Sequence, residues 1–341
     1  MEKRKVQFTG GSTYILSLPK RWAVEMGLKE GDELEIERKG DSLVIYPPSR
    51  RGERRRGEAV LRVSPEEPPQ ALARKVVSLY LVGYNVIRLR AEGGRISPAQ
   101  REMVRSFVRT KLVGTEVTTD LPGEMVLQVL LKFPELPVKD ALRRMYLIAL
   151  SMKEDAMLAL ESFNLDLARD VVARDDEVDR FGMYIIRQLK SAVEDPRLVR
   201  EIGLDCGRDC LGYRIVTKIV ERVSDHLVLV AQNLLQLKGE LPAEVVRRVK
   251  EMGELVFSVF QEAVESLFEG DHVKAEAVMG RREEILRAEE KAIREVLRRV
   301  SGEDLLPLRL MIESLRRIGE YGSDIAEIVL NLNAFKMVEE P

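Results

Sequence analysis

The 341-residue sequence predicts a multidomain fold: a small β-rich head, a small α+β middle domain of ferredoxin-like type, and a C-terminal all-α pair of three-helix bundles. Three observations carry this. The chain is longer than a single core usually supports. Its first 48 residues are short alternating runs punctuated by Gly and Pro. From Pro137 onward, Leu, Val and Ile recur at helical spacing with only brief interruptions.

Composition narrows the function classes. The chain is 33% charged with a net charge of −2, which excludes a strongly basic nucleic-acid binder overall but leaves room for a local basic patch. No apolar run approaches the ~18 residues that span a bilayer, and Met1 to Lys5 leads into no signal-type apolar segment. The expectation is a cytoplasmic protein without membrane insertion. Cys206 and Cys210 stand four apart, half a zinc site if both lie on one helix. The alternative is two reduced thiols in helix packing, favoured because His226 lies about 24 Å further along a continuous helix.

Residues 1–48 form the head. Val6 to Phe8 is a strand, Thr9 to Ser12 a glycine-permitted turn, and Tyr14 to Leu18 a second strand. Pro19 opens a helix to about Met26 and Gly27 stops it. Gly31-Asp32 turns the chain into the strand Glu33 to Glu37, Lys39-Gly40-Asp41 into the strand Ser42 to Tyr46, and Pro47-Pro48 ends the unit. A segment this short, with one small helix and no disulfide, cannot bury a core alone, so two copies are expected to interlock.

The string from Val6 to Tyr46, with Leu18-Pro19-Lys20, Gly27 and Gly31-Asp32, resembles the AbrB/SpoVT/MazE swapped-hairpin DNA-binding domain. Its Gly10-Gly11-Ser12-Thr13-Tyr14 opening departs from the usual pattern. The resemblance implies a homodimer formed through the head, with Lys3, Arg4, Lys5, Lys20 and Arg21 facing DNA. The competing reading is a head that serves dimerisation only. Residues 1–57 hold 13 Lys+Arg against 9 Asp+Glu. Much of that excess is the basic linker 49–57, either a grip on phosphates or a solvated tether.

Residues 58–135 form the middle domain. The expected strands are Ala59 to Val63, Asn85 to Arg90, Glu116 to Thr119 and Met125 to Leu130, with helices from Pro69 to Gly83 and from Pro98 to Leu112. The order βαβαββ carries no Gly-rich phosphate loop and no catalytic set, so its role is not readable.

Six long helices follow, over about 137–162, 165–194, 196–238, 242–269, 271–301 and 303–336, with breaks at Asn164, Asp195-Pro196, Gly239 to Pro242, Gly270 and Gly302. They contain an internal repeat. Ala168 to Val178 aligns with Ala275 to Ile285, and Glu221 to Asp225 aligns with Arg316 to Glu320. The repeats span 137–239 and 240–337. In the first, Asp175/Asp179 and Glu221/Asp225 are two acid pairs one helical turn apart, and like charges there repel. On packed helices four carboxylates are costly unless a positive charge sits among them. Asp and Glu make up 57 of the 341 residues, so one such pair on a solvated face is ordinary, and two on adjacent helices are only modestly more informative. Asp175 and Asp179 flank the Val171/Val178/Ile185 stripe. Glu221 and Asp225 lie opposite Val216/Val223/Leu227, so the patch is expected in a surface groove.

Two three-helix repeats with Asp175-x-x-x-Asp179, Glu221-Arg222-Val223-Ser224-Asp225-His226, Arg317-Ile318-Gly319-Glu320-Tyr321 and Asp324-Ile325-Ala326-Glu327 resemble the PhoU family of phosphate-signalling regulators over about residues 137–337. An AbrB-like head on such repeats is the arrangement of archaeal phosphate-uptake regulators. The resemblance implies a metal ion (Fe, Zn, Mn or Mg) held by Asp175, Asp179, Glu221 and Asp225. In the second repeat these positions are Arg282, Leu286, Arg316 and Glu320, which cannot hold a cation, so at most one metal site per chain is expected. His226 is read as packing rather than ligating, and the second repeat as either structural or open to an anion or partner.

The resulting expectation is a DNA-binding, metal-binding transcriptional regulator of phosphate uptake. The alternative is an accessory protein that restrains a phosphate transporter or its signalling partners by direct contact. A metal-dependent hydrolase ranks last, since no positioned nucleophile or general base is visible, and the protein is read as not an enzyme.

Overall fold

A computed structural model of the chain describes residues 3–47, 57–131 and 135–338. Almost all of the 49–57 linker lies outside the described residues. The chain divides into two compact units, 1–55 and 56–341.

The first unit holds two antiparallel hairpins. β1 (Gln7–Thr9) pairs with β2 (Thr13–Ile15), and β3 (Glu35–Lys39) with β4 (Ser42–Tyr46). Between them lies α1 (Lys20–Glu25). Gly10 and Gly11 both have positive φ, which the tight β1–β2 turn requires. One copy encloses almost nothing. Tyr46 is buried, but Phe8, Tyr14, Ile36 and Leu43 are all more than half exposed. Apolar side chains alternating outward on two open hairpins leave surface that a monomer cannot cover.

The second unit begins with a four-stranded sheet in the order β5-β6-β8-β7. β5 (Glu58–Val63) runs parallel to β6 (Val86–Ala91), while β8 (Glu124–Val129) is antiparallel to both β6 and β7 (Thr115–Leu121). The α+β sandwich expected from sequence is present. Its first two strands are direct neighbours joined by α2 (Pro69–Val82), so it is not the split βαβ arrangement of ferredoxin-like type. α3 (Pro98–Lys111) opens on a capping box between Ser97 and Gln100. Leu72, Val76, Tyr80, Ile87, Leu89, Val104 and Met125 form the core of this sandwich.

The helical region is α4 (Val138–Ser162), α5 (Leu165–Glu194), α6 (Arg197–Glu201), α7 (Asp209–Leu234), α8 (Ala243–Glu269), α9 (His272–Met279), α10 (Arg282–Arg299) and α11 (Leu305–Leu332). Two of the six expected helices are divided. The 196–238 stretch breaks between α6 and α7, where Gly203 takes φ 81° and Asp209 accepts from the Cys206 backbone N–H. Cys206 therefore precedes α7 and the two cysteines do not share a helix face. The 271–301 stretch breaks at Gly280-Arg281, between α9 and α10.

The repeat is visible in local geometry. Phe163 (φ 49°) and Gly270 (φ 65°) occupy equivalent left-handed caps. The next residues, Asn164 and Asp271, each cap the following helix by accepting two backbone N–H bonds. The ion pair of Arg174 with Asp155 is matched by Arg281 with Glu262. One core runs through both repeats, with α11 packed on α7 and α8. At Gly322 an added Cβ would lie 2.9 Å from Val259 Cγ1 and 3.1 Å from the Phe260 backbone, and at Gly319 it would lie 2.7 Å from Ile285 Cδ1. These glycines let α11 seat against its neighbours.

Candidate functional site

The four acidic positions of the first repeat share one groove between α5 and α7. Val171, Val178, Ile185, Val216, Val223 and Leu227 are fully buried, which turns the acid pairs toward the groove's outer side. Asp175 accepts a hydrogen bond from Ser224 Oγ at 2.7 Å. A Cβ built on Gly182 would lie 4.0 Å from Glu221 Oε2, so Glu221 leans across α5 at a position with no side chain. Glu221 is also ion-paired with Lys218. Asp225 retains an exposed side, yet loss of water around it, together with the charges of Asp175, Glu221 and Asp179, pushes its pKa up to about 6. Burial likewise raises Asp175, against the pull of Ser224.

The positive charge in this groove is supplied by the chain. Lys111, in the last turn of α3, places Nζ 2.5 Å from Asp176 Oδ1 and 2.5 Å from Asp179 Oδ2. Burial works against its charge, but the hydrogen bonds to the two aspartates outweigh that and raise its pKa. Sequence reasoning missed Lys111 because nothing local links residue 111 to the 170s. Among the described residues no group of three His, Cys, Asp or Glu side chains is arranged to hold a metal ion. As arranged, Asp176 and Asp179 hold the Lys111 ammonium.

The middle domain docks on α5 at a second point. Arg187 is 2% exposed and donates to the carbonyls of Tyr80, Gly83 (3.1 Å) and Tyr84 (3.0 Å) and to Asn85 Oδ1 (2.8 Å). Its charge sits at the C-terminal end of α2, where helix carbonyls lack partners.

The equivalent groove in the second repeat lies between α10 and α11. It is a cavity of about 340 Å3 lined by Arg282, Ile285, Leu286, Arg316, Arg317, Glu320, Tyr321, Ser323 and Asp324. All four positions aligned with the acid patch (282, 286, 316 and 320) line it together. Arg316 is held by Glu289 at 3.2 Å and by Glu320. Glu289 stands where the first repeat has Gly182.

The two grooves flank one helix crossing. His226 on α7 and Tyr321 on α11 occupy equivalent positions, and their rings meet at 5.7 Å. Arg222 lies over the Tyr321 ring at 5.9 Å, and its counterpart Arg317 acts on His226. Burial first, then Arg317, lower the His226 pKa, and Nδ1 has no hydrogen-bond partner among the described residues. His226 packs at the crossing, as read from sequence. Of the residues expected to face DNA, Lys3, Arg4, Lys5, Lys20 and Arg21 are all exposed, and Arg21 pairs with Glu25 at 2.8 Å. Among the described residues no helix is long and apolar enough to cross a membrane.

Comparison with known proteins matches residues 142–234 and 249–329 to the PhoU domain, and residues 7–53 to the family described as antidote-toxin recognition MazE, bacterial antitoxin. The chain is 24% identical over 190 residues to a phosphate-specific transport system accessory protein PhoU homolog of Clostridium acetobutylicum, covering 54% of this chain and 85% of that one. It is 24% identical over 210 residues to PhoU homolog 1 of Thermotoga maritima, covering 59% and 87%. Among solved structures, the phosphate transport system regulatory protein PhoU of Streptococcus pneumoniae aligns at TM-score 0.50 and 20% identity over 60% of this chain and 96% of that one. PhoU of Pseudomonas aeruginosa aligns at TM-score 0.51 and 24% identity, over 58% and 96%.

Proposed function

Because the chain belongs to the PhoU family, we propose that it is a cytoplasmic regulator of a phosphate transport system and of phosphate homeostasis, acting as a DNA-binding transcriptional regulator through its N-terminal head. The observation that carries this reading is the pairing, in one chain, of two PhoU repeats with a MazE-type segment. The outward apolar faces of both head hairpins support a homodimer formed there. Lys3, Arg4, Lys5, Lys20 and Arg21 would then lie on DNA phosphates, as point charges and forks that release counter-ions on binding. The protein is a regulator in this reading, not an enzyme.

An Fe, Zn, Mn or Mg ion would be held by Asp175, Asp179, Glu221 and Asp225, hard oxygen donors from two helices, and at most one per chain. Lys111 occupies part of that set, so metal entry and its contact with Asp179 are alternatives.

The test is binding of the full-length protein to DNA from upstream of its own genome's phosphate-transport genes, measured by fluorescence anisotropy at several salt concentrations. The expected result is a preference over shuffled DNA, a steep fall with salt, and a loss of about tenfold or more on replacing Lys20 and Arg21 by Ala together. Equal, weak binding to any DNA would leave the head as a dimerisation device. It would favour the second reading, an accessory protein that contacts the transporter or its signalling proteins directly, for which the two PhoU homologs named for accessory roles speak.

A further inference from the structure

The groove of the second repeat reverses the charge of the first while keeping its place in the fold. Its wall carries three guanidinium groups against the two carboxylates of Glu320 and Asp324. Glu320 is already shared between Arg316 and Arg317. Arg316 is further fixed by Glu289, so its charge is met within the groove. Arg317 uses only Nη1, at 2.9 Å from Glu320, and its side chain is 49% exposed. The Arg282 guanidinium makes no ion pair or hydrogen bond among the described residues. It stands at the first position of α10, where the backbone dipole also favours an anion. A purely structural arginine cluster would set an acid against each cation. This one leaves most of the donors of Arg282 and Arg317 open at the mouth of a cavity.

The remaining lining describes the rest of a ligand. Ile285 and Leu286 give an apolar wall, Tyr321 a ring, and Ser323 and Asp324 polar groups that can meet hydroxyls. Burial, then Glu327 and Glu320, raise the Asp324 pKa. A volume of about 340 Å3 is roughly ten times the ~30 Å3 that a water molecule takes in the liquid, more than an inorganic phosphate fills. Guanidinium forks match oxyanions in two-point geometry, and two open forks suit a dianion better than a single carboxylate.

The geometry points to a binding site for a small organic phosphate in this groove, with the phosphate on Arg282 and Arg317 and the organic body against Leu286 and Tyr321. The assignment stands independently of the head's action on DNA and of metal in the first repeat.

Titration calorimetry on the full-length protein tests it with AMP, glucose 6-phosphate and phenyl phosphate, beside inorganic phosphate and adenosine. At least one ester is expected to bind one per chain with Kd below about 1 mM, and adenosine is expected not to bind. Replacing Arg282 and Arg317 by Ala together should weaken that ester at least tenfold, with the circular dichroism melting curve confirming that the variant is folded. Arg294→Ala, at an exposed residue outside both grooves, should leave its affinity unchanged. Failure of all three esters overturns the site. Equal affinity for inorganic phosphate overturns the organic part, and full affinity in the folded double variant overturns the location.

Discussion

The two repeats place the same four positions around the same kind of groove and fill them differently, with four acids in front and two arginines, a leucine and a glutamate behind. In the front repeat, Asp175, Asp179, Glu221 and Asp225 repel one another, and Lys111 reaches in from the middle domain to neutralise part of the field. In the rear repeat, Arg282, Leu286, Arg316 and Glu320 largely settle their own charges, with Glu289 replacing the glycine of the front half. One groove draws part of its counter-charge from a neighbouring domain, and the other leaves the Arg282 guanidinium without an ion pair among the described residues. A duplicated scaffold can thus keep its packing while its two clefts diverge, because the core positions and the cleft positions lie on different faces of the same helices.

The sharpest test of that divergence is an arginine present in both halves. Arg187 is buried under α2, whereas its counterpart Arg294 is exposed and pairs with Glu290. Arg187→Ala leaves the carbonyls of Tyr80, Gly83 and Tyr84 without their donor and should cost about 3–5 kcal/mol in chemical denaturation. Arg294→Ala should cost about 0.5 kcal/mol or less. Equal losses would mean that the middle domain is not anchored to the front repeat in solution.

Next is the dependence on Lys111. Lys111→Met should destabilise the protein by about 2 kcal/mol, since it leaves Asp176 and Asp179 facing other acids. Millimolar Mn2+ should then raise the melting temperature of this variant more than that of the wild type. If Mn2+ acts equally on both, the ammonium does not guard the groove.

The smallest effect separates the two equivalent acids. Asp225 is held near 6, above its unfolded value of 3.8. The folded state therefore binds the proton more tightly, and this group's contribution to stability falls as pH rises through that window. Asp225→Asn should stabilise the protein at pH 7.5 by about 1 kcal/mol once solvent screening is allowed for, with the gain fading toward pH 4. Glu320→Gln removes the acid shared by Arg316 and Arg317, leaving Arg316 with Glu289 alone, and should instead destabilise by about 0.5–1 kcal/mol. Thermal melts across pH give both numbers, and gains of the same sign would contradict the proposed contrast.

The repeat, the helix count to within two breaks, and the inversion of charge were legible in the sequence because periodicity and alignment act along the chain. The partners of these residues were not. Lys111 meets Asp179 across 68 residues, and Ser224 meets Asp175 across 49. Both depend on how helices are stacked. Extending the alignment one residue past Asp225 and Glu320 would have paired His226 with Tyr321 and hinted at the crossing. The break before α7 was missed because Gly203 and Asp209 act through backbone geometry that an apolar count does not register.

Gly319 aligns with Ser224, so the same rung of the ladder backs both grooves. In front it offers a hydroxyl to an acid. Behind, it offers no atom at all, and Ile285 moves into the vacated space. The bore of the rear groove is therefore set in part by Ile285, seated where Gly319 lacks a side chain. Evolution or a designer could widen or narrow that bore by editing this backing position, leaving every arginine that greets the guest untouched.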